Sequence, residues 1–282
     1  PTWWWGPWTS ARSSRFSPER RFSARRRLRS APRFRMSAVG RTLGVMDTTT
    51  DVLLIPGFWL DAASWDDVVP TLRAAGLAPR ALTMPGVGAG AAAAAEIGLA
   101  DWIAAVVAEI DRAPGPVVVV GHSGGGNVAW GAVDARPDRV SRMVFVDTVP
   151  PPPGANVGEF ETDQPIIPFP GWDFFDDEDV ADLDPQTRER TAPRALSIPT
   201  RVTTDAIALT DDRRYAVPVT VLSGHRDDAE FRRFLAQWGP FADEFTAIAD
   251  TEVVRLGTGH WPQFSQPERL GEALVAAIQR AG

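Results

Sequence analysis

A chain of 282 residues with 44% hydrophobic content can bury one sizeable core, and one domain of roughly 200–250 residues is expected. It holds neither cysteine nor lysine, which excludes disulfides, thiolate nucleophiles and cysteine metal sites. The net charge of −7 is unevenly spread: residues 1–45 carry 11 arginines and one acid, Glu19, whereas the remainder carries 18 arginines against 35 acids, and so acidic a body argues against nucleic-acid binding.

Residues 1–45 run from Trp3-Trp4-Trp5 to Arg25-Arg26-Arg27 with neither helical nor strand periodicity. Their Arg- and Ser-rich, acid-poor composition is that of a transit peptide, but no apolar run suits a signal peptide, and Arg20-Arg21-Phe22 is a poor twin-arginine signal. The reading adopted is a disordered or non-native extension, translated upstream of a true start at Met36 or Met46, ahead of a domain over 46–282. A cytoplasmic protein with no membrane segment is expected.

From residue 51 the pattern alternates strand and helix. Asp51–Ile55 reads as a buried strand stopped by Pro56-Gly57, followed by a helix capped at Ser64, with Trp65, Val68, Val69 and Leu72 on its apolar face. Residues 78–83 make a second strand. The Gly86-x-Gly88-x-Gly90 run lacks the spacing and the ribose-binding acid of a dinucleotide site, and no cofactor is expected. Leu99–Arg112 is helical, with apolar residues at three- and four-residue intervals.

Val117–Val120 then gives four β-branched residues in a row, the signature of a strand buried on both faces. It runs into Gly121-His122-Ser123-Gly124-Gly125, whose Gly-x-Ser-x-Gly spacing is that of a strained strand-to-helix turn with an exposed serine hydroxyl. A helix follows, then a strand over Val140–Val146 ending at Asp147.

Residues 148–212, rich in Pro, Asp and aromatics, interrupt the rhythm and read as a small cap over the sheet's C-terminal edge; the acidic run Asp173–Asp184 within it reads as solvated surface. Alternation resumes with strands over Val217–Leu222 and Val253–Leu256, a helix over Glu230–Trp238, and a last helix from Pro267. Strands joined by crossover helices give an α/β fold with a doubly wound, mostly parallel sheet of about six strands, whose site lies at the strands' C-terminal ends.

A serine hydroxyl needs a base. Of His122, His225 and His260, only His260, in Gly257-Thr258-Gly259-His260-Trp261-Pro262 after the final strand, is placed to swing over Ser123. The base needs a carboxylate, and two stand at strand ends: Asp227 is favoured and Asp147 is the alternative, with Asp228 read as a helix cap. Backbone amides of Gly124 and of Phe58 or Trp59 would form the oxyanion hole. Trp59, His122, Trp172 and Trp261 are expected to line the substrate site. Three dispersed histidines make a metal centre unexpected.

Over residues 50–280 this set of motifs resembles the α/β-hydrolase superfamily, in particular small esterase-like members with a Gly-His-Ser-Gly-Gly elbow. The first loop departs from that pattern, with Pro56-Gly57 where the superfamily has His-Gly. The resemblance implies hydrolysis of a small carboxylic ester through an acyl-enzyme, with Ser123 as nucleophile and His260 as base. It also admits a lyase or a cofactor-free perhydrolase on the same fold, and a non-catalytic small-ligand receptor. Oligomeric state is not legible in the sequence.

Overall fold

The computed structural model describes residues 49–158, 160 and 162–280; the extension expected over residues 1–45 and its start sites lie outside the described residues. Strand β1 (Asp51–Ile55) leads through a 3-10 turn at Ala62–Trp65 into α1 (Val69–Ala74) and β2 (Ala78–Ala81). The single-turn α2 (Ala91–Ala94) and the long α3 (Leu99–Arg112) return the chain to β3 (Val117–His122), then α4 (Gly124–Ala135) and β4 (Val140–Val146). Next, β5 (Ile166–Ile167), α5 (Asp177–Val180), α6 (Pro185–Thr191), β6 (Ile198–Pro199) and α7 (Thr200–Thr204) form an irregular insertion in which β5 and β6 pair antiparallel. The alternation resumes with β7 (Val219–Ser223), α8 (Asp228–Leu235), α9 (Pro240–Ala247), β8 (Thr251–Arg255), α10 (Pro262–Ser265) and α11 (Pro267–Gln279).

Six strands pair in parallel in the order β2-β1-β3-β4-β7-β8, the doubly wound sheet the alternation predicts. The chain builds outward from β1 to β2, then crosses back to lay β3 on the other side of β1. That reversal opens a crevice between the β1 and β3 loops, where sites form in sheets of this kind. The valines of β3 explain its central place. Val118 and Val120 join Val52, Leu54, Trp65, Leu72 and Leu270 in a cluster beneath α1 and α11. Val117 and Val119 alternate to the other face, where α3 and α4 pack, and all four are at most 2% exposed. Each buried valine contributes about 1.5–3 kcal/mol, so the run is strongly held between two helical layers.

Local chemistry moves several boundaries. The helix expected from Ser64 begins later, at Val69, because Pro70 has no N–H to give and sits in the first turn. Ser64 does not cap it: Asp61 caps the 3-10 turn by accepting the Ala63 amide at 3.0 Å, and the Ser64 hydroxyl donates to the Asp61 carbonyl. The strand expected from Val217 starts beyond Pro218, at Val219. The end of the insertion is pinned by Arg214, which is 1% exposed. It pairs with Asp134 of α4 at 3.2 Å and with Glu244 of α9 at 2.9 Å. Among the described residues, no helix is long and apolar enough to cross a membrane.

Candidate active site

Three residues other than glycine have positive φ among the described residues: Trp59 at 62°, Ser123 at 50° and Asp147 at 47°. They follow β1, β3 and β4, three adjacent strands of the sheet. Each such conformation costs about 1–3 kcal/mol and persists only where its surroundings over-determine it. The strain is therefore gathered at the crevice.

At Ser123 the surroundings are glycines. A Cβ at Gly121 would lie 2.5 Å from the Gly126 Cα, and one at Gly125 would lie 2.2 Å from the Pro56 carbonyl oxygen. Any side chain there would force strand, helix and first loop apart. Gly57 obeys the same constraint, for a Cβ on it would meet the His122 ring at 2.6 Å. The Ser123 amide donates to the Val146 carbonyl and its own carbonyl accepts from Gly126, so the bend is locked on both sides. The strain lifts the hydroxyl toward His260: Ser123 Oγ lies 2.9 Å from His260 Nε2.

The other ring nitrogen meets the alternative carboxylate and not the favoured one. His260 Nδ1 lies 2.6 Å from Asp147 Oδ2, while Asp147 Oδ1 accepts the Gly224 amide at 2.8 Å. Asp227, the favoured residue, is elsewhere. Its side chain accepts the Glu230 amide at 2.9 Å and Glu230 reaches back to the Asp227 amide, a capping box on α8. Asp228, expected to cap, lies one position inside the helix and bonds Arg232 instead. The reason is topological: β4 neighbours β3, so its end residue is already beside the serine, whereas Asp227 lies four residues beyond β7. The pattern Asp227-x-x-Glu230 was the available sequence signal.

Electrostatics follow the geometry. Burial works against the charged imidazole of His260, but the bond to Asp147 and that residue's charge, with a contribution from Asp179, outweigh it and hold its pKa above the ordinary 6.5. Burial raises Asp147 in turn, yet its bond to His260 and the charge there prevail and hold the carboxyl below its usual value. A base must be neutral to accept a proton. kcat/KM is therefore expected to fall on the acid side through a pKa above 6.5, read from a pH–rate profile; a midpoint at or below 6.5 would contradict this coupling.

His122 has both ring nitrogens bonded within the protein. It is fully buried, its Nε2 donates to the His260 carbonyl at 2.7 Å, and its Nδ1 takes the side-chain amide of Gln263 at 3.2 Å. Burial, and the neighbouring charge of His260, push its pKa down to about 3, which keeps it neutral. His122 thus holds the His260 backbone, and Gln263, which sequence reasoning missed, holds His122. His225 lies at the edge, with Nε2 3.1 Å from the Glu178 carbonyl.

The three tryptophans come together in an aromatic wall. Trp261 meets the His260 ring edge-on at 4.7 Å between centroids, Trp172 at 5.0 Å and Phe175 at 4.6 Å. Trp59 in turn meets Phe175 at 5.9 Å. The Phe58 ring packs on Gly124 and against Trp102, so a side chain from the first loop fills the core while its backbone borders the serine.

A family model described as the alpha/beta hydrolase family matches residues 52–273, across the sheet and every residue above. The chain belongs to the alpha/beta hydrolase family. The chain is 37% identical over 114 residues to the esterase PIR7B of Oryza sativa subsp. japonica, a stretch that covers 38% of this chain and 41% of that esterase. The chain thus spans about two fifths of that relative's length. Its fold is similar to that of tomato methylketone synthase I, with a TM-score of 0.64 at 17% identity over 82% of this chain and 98% of the other. It is likewise similar to an extracellular alpha/beta-hydrolase from a Paenibacillus species, with a TM-score of 0.65 at 22% identity over 81% and 98%.

Proposed function

We propose that the hydrolase cleaves a small, uncharged carboxylic ester through an acyl-enzyme on Ser123. The observation that carries this is the continuous chain of contacts from Ser123 Oγ through His260 to Asp147, at 2.9 and 2.6 Å. His260 Nε2 takes the hydroxyl proton as Oγ attacks the ester carbonyl. The resulting oxyanion is met by the Gly124 amide, at the N-terminus of the twelve-residue α4, and by the amide of Phe58 or Trp59. His260 then passes the proton to the departing alkoxide, and water, deprotonated by the same nitrogen, releases the acid. Asp147 holds the imidazole in the tautomer that leaves Nε2 free to accept.

The aromatic wall of Trp59, Trp172 and Trp261 supports a substrate without charge beside the reacting carbonyl. The partial identity to an esterase supports the same reaction class. The test is covalent capture. A fluorophosphonate should label one residue, Ser123, with stoichiometry near one, and short-chain p-nitrophenyl esters should protect it while being turned over. Labelling elsewhere, or none, would remove the hydrolytic reading. A panel of esters of increasing acyl length then defines the pocket.

A further inference from the structure

The loop that carries the base has all of its amides from Leu256 to His260 in hydrogen bonds, but not to one partner. Leu256 donates to the Ser223 carbonyl, and Gly257 and Thr258 donate to the Gly224 carbonyl, all at the end of β7. The last two amides turn away from the sheet. Gly259 donates to Asp182 Oδ2 at 2.8 Å, and His260 donates to the Asp179 carbonyl at 2.8 Å. Both acceptors belong to the insertion. The contact is close: a Cβ at Gly259 would lie 2.3 Å from the Asp179 oxygen and 2.4 Å from Asp182 Oδ1. Asp182 sits in the acidic run read from sequence as solvated surface, yet its Oδ1 is buried and has no hydrogen-bond partner among the described residues. An oxygen so placed costs free energy, so the side chain is poorly explained by stability alone.

We propose that Asp182 is a positioning residue for the base: the insertion, through its carboxylate and the Asp179 carbonyl, forms half of the His260 scaffold, and the serine–histidine contact is held only while the insertion is seated. The other half is fixed. The His260 carbonyl is bound by His122, next to the nucleophile in sequence, and the ring by Asp147. With the Gly259 and His260 amides released, the main chain that aims Nε2 at Oγ gains freedom and the Nδ1 bond to Asp147 loosens with it. Displacement on the order of 1 Å is enough to lose roughly a hundredfold in rate. Seating the insertion over substrate and arming the base thereby become one event.

The proposal rests on the hydrolytic reading for its kinetic test and on geometry alone for its spectroscopic one. Asp182→Leu removes the acceptor while keeping the branching and eliminates the buried unpartnered oxygen, whereas Asp182→Asn keeps an acceptor for Gly259. Per phosphonate-titrated site, Asp182→Leu should lower kcat roughly 10- to 100-fold with a smaller change in KM, and Asp182→Asn should restore most of it. Independently of any substrate, the low-field proton resonance of the His260 Nδ1–H should broaden or vanish in Asp182→Leu and persist in Asp182→Asn. If the leucine variant fails to fold, Gly259→Ala, which must push the insertion from the loop, should reproduce both effects. An unchanged resonance and unchanged kcat in the variant that folds, or equal losses in Asp182→Leu and Asp182→Asn, would overturn the proposal. A wild-type protein with the resonance but without ester turnover would instead overturn the hydrolytic reading.

Discussion

Ser123→Ala is expected to lower kcat by about a millionfold, and the double variant Ser123→Ala with His260→Ala to be no worse than either change alone. The physical reason is that the two groups perform one proton transfer. Without the hydroxyl the imidazole has nothing to activate; without the imidazole the hydroxyl keeps its proton and remains a weak nucleophile. The residual rate should still exceed that in water by about 10³–10⁴, because the backbone amides at the oxyanion are untouched. Alanine at position 123 inherits the positive φ of 50°, so it neither relieves nor adds backbone strain, and thermal unfolding should be unchanged. Turnover of short-chain p-nitrophenyl esters checks the rate. Losses that simply multiply in the double variant would show that serine and histidine do not work as a unit.

Asp147→Asn is expected to lower kcat/KM by about ten-thousandfold, and Asp227→Asn to leave it within about twofold. The asparagine amide at 147 can donate to His260 Nδ1, which favours the tautomer with the proton on Nε2, facing a hydroxyl it can no longer accept from. The imidazolium also loses its counter-charge 2.6 Å away, so burial acts unopposed by Asp147 and the acid limb of the remaining activity should move downward. At 227 the substitution replaces one good N-cap by another, and helix α8 should keep its start. The pair is decided by steady-state kinetics on both variants: inactivity of Asp227→Asn with an active Asp147→Asn would reverse the assignment.

Much of the architecture was legible because its causes are local and periodic. The four valines at 117–120 suit only a strand covered on both faces, and the glycines at 121 and 125 suit only a bend where backbones nearly touch. The terminal helix from Pro267 and the periodic α3 appear as read. Pro70 was readable too, and running a helix through it was an error of local chemistry. The antiparallel pair of β5 and β6 has only two residues per strand, too few to show any period.

The sequence by itself therefore determined the strand–helix alternation of a parallel sheet and the strained serine, because periodicity and elbow chemistry follow from neighbouring residues. Which carboxylate completes the set was left to the tertiary structure. Asp147 and Asp227 both follow strands and both precede His260; the capping pattern at Asp227 is local, but the adjacency of β4 to β3 that sets Asp147 beside the ring is not. Tertiary structure also decided that His122 binds the His260 carbonyl, and that an aspartate from a seemingly solvated run grips the His260 loop. These are contacts between segments 77 and 138 residues apart, and no local pattern encodes them.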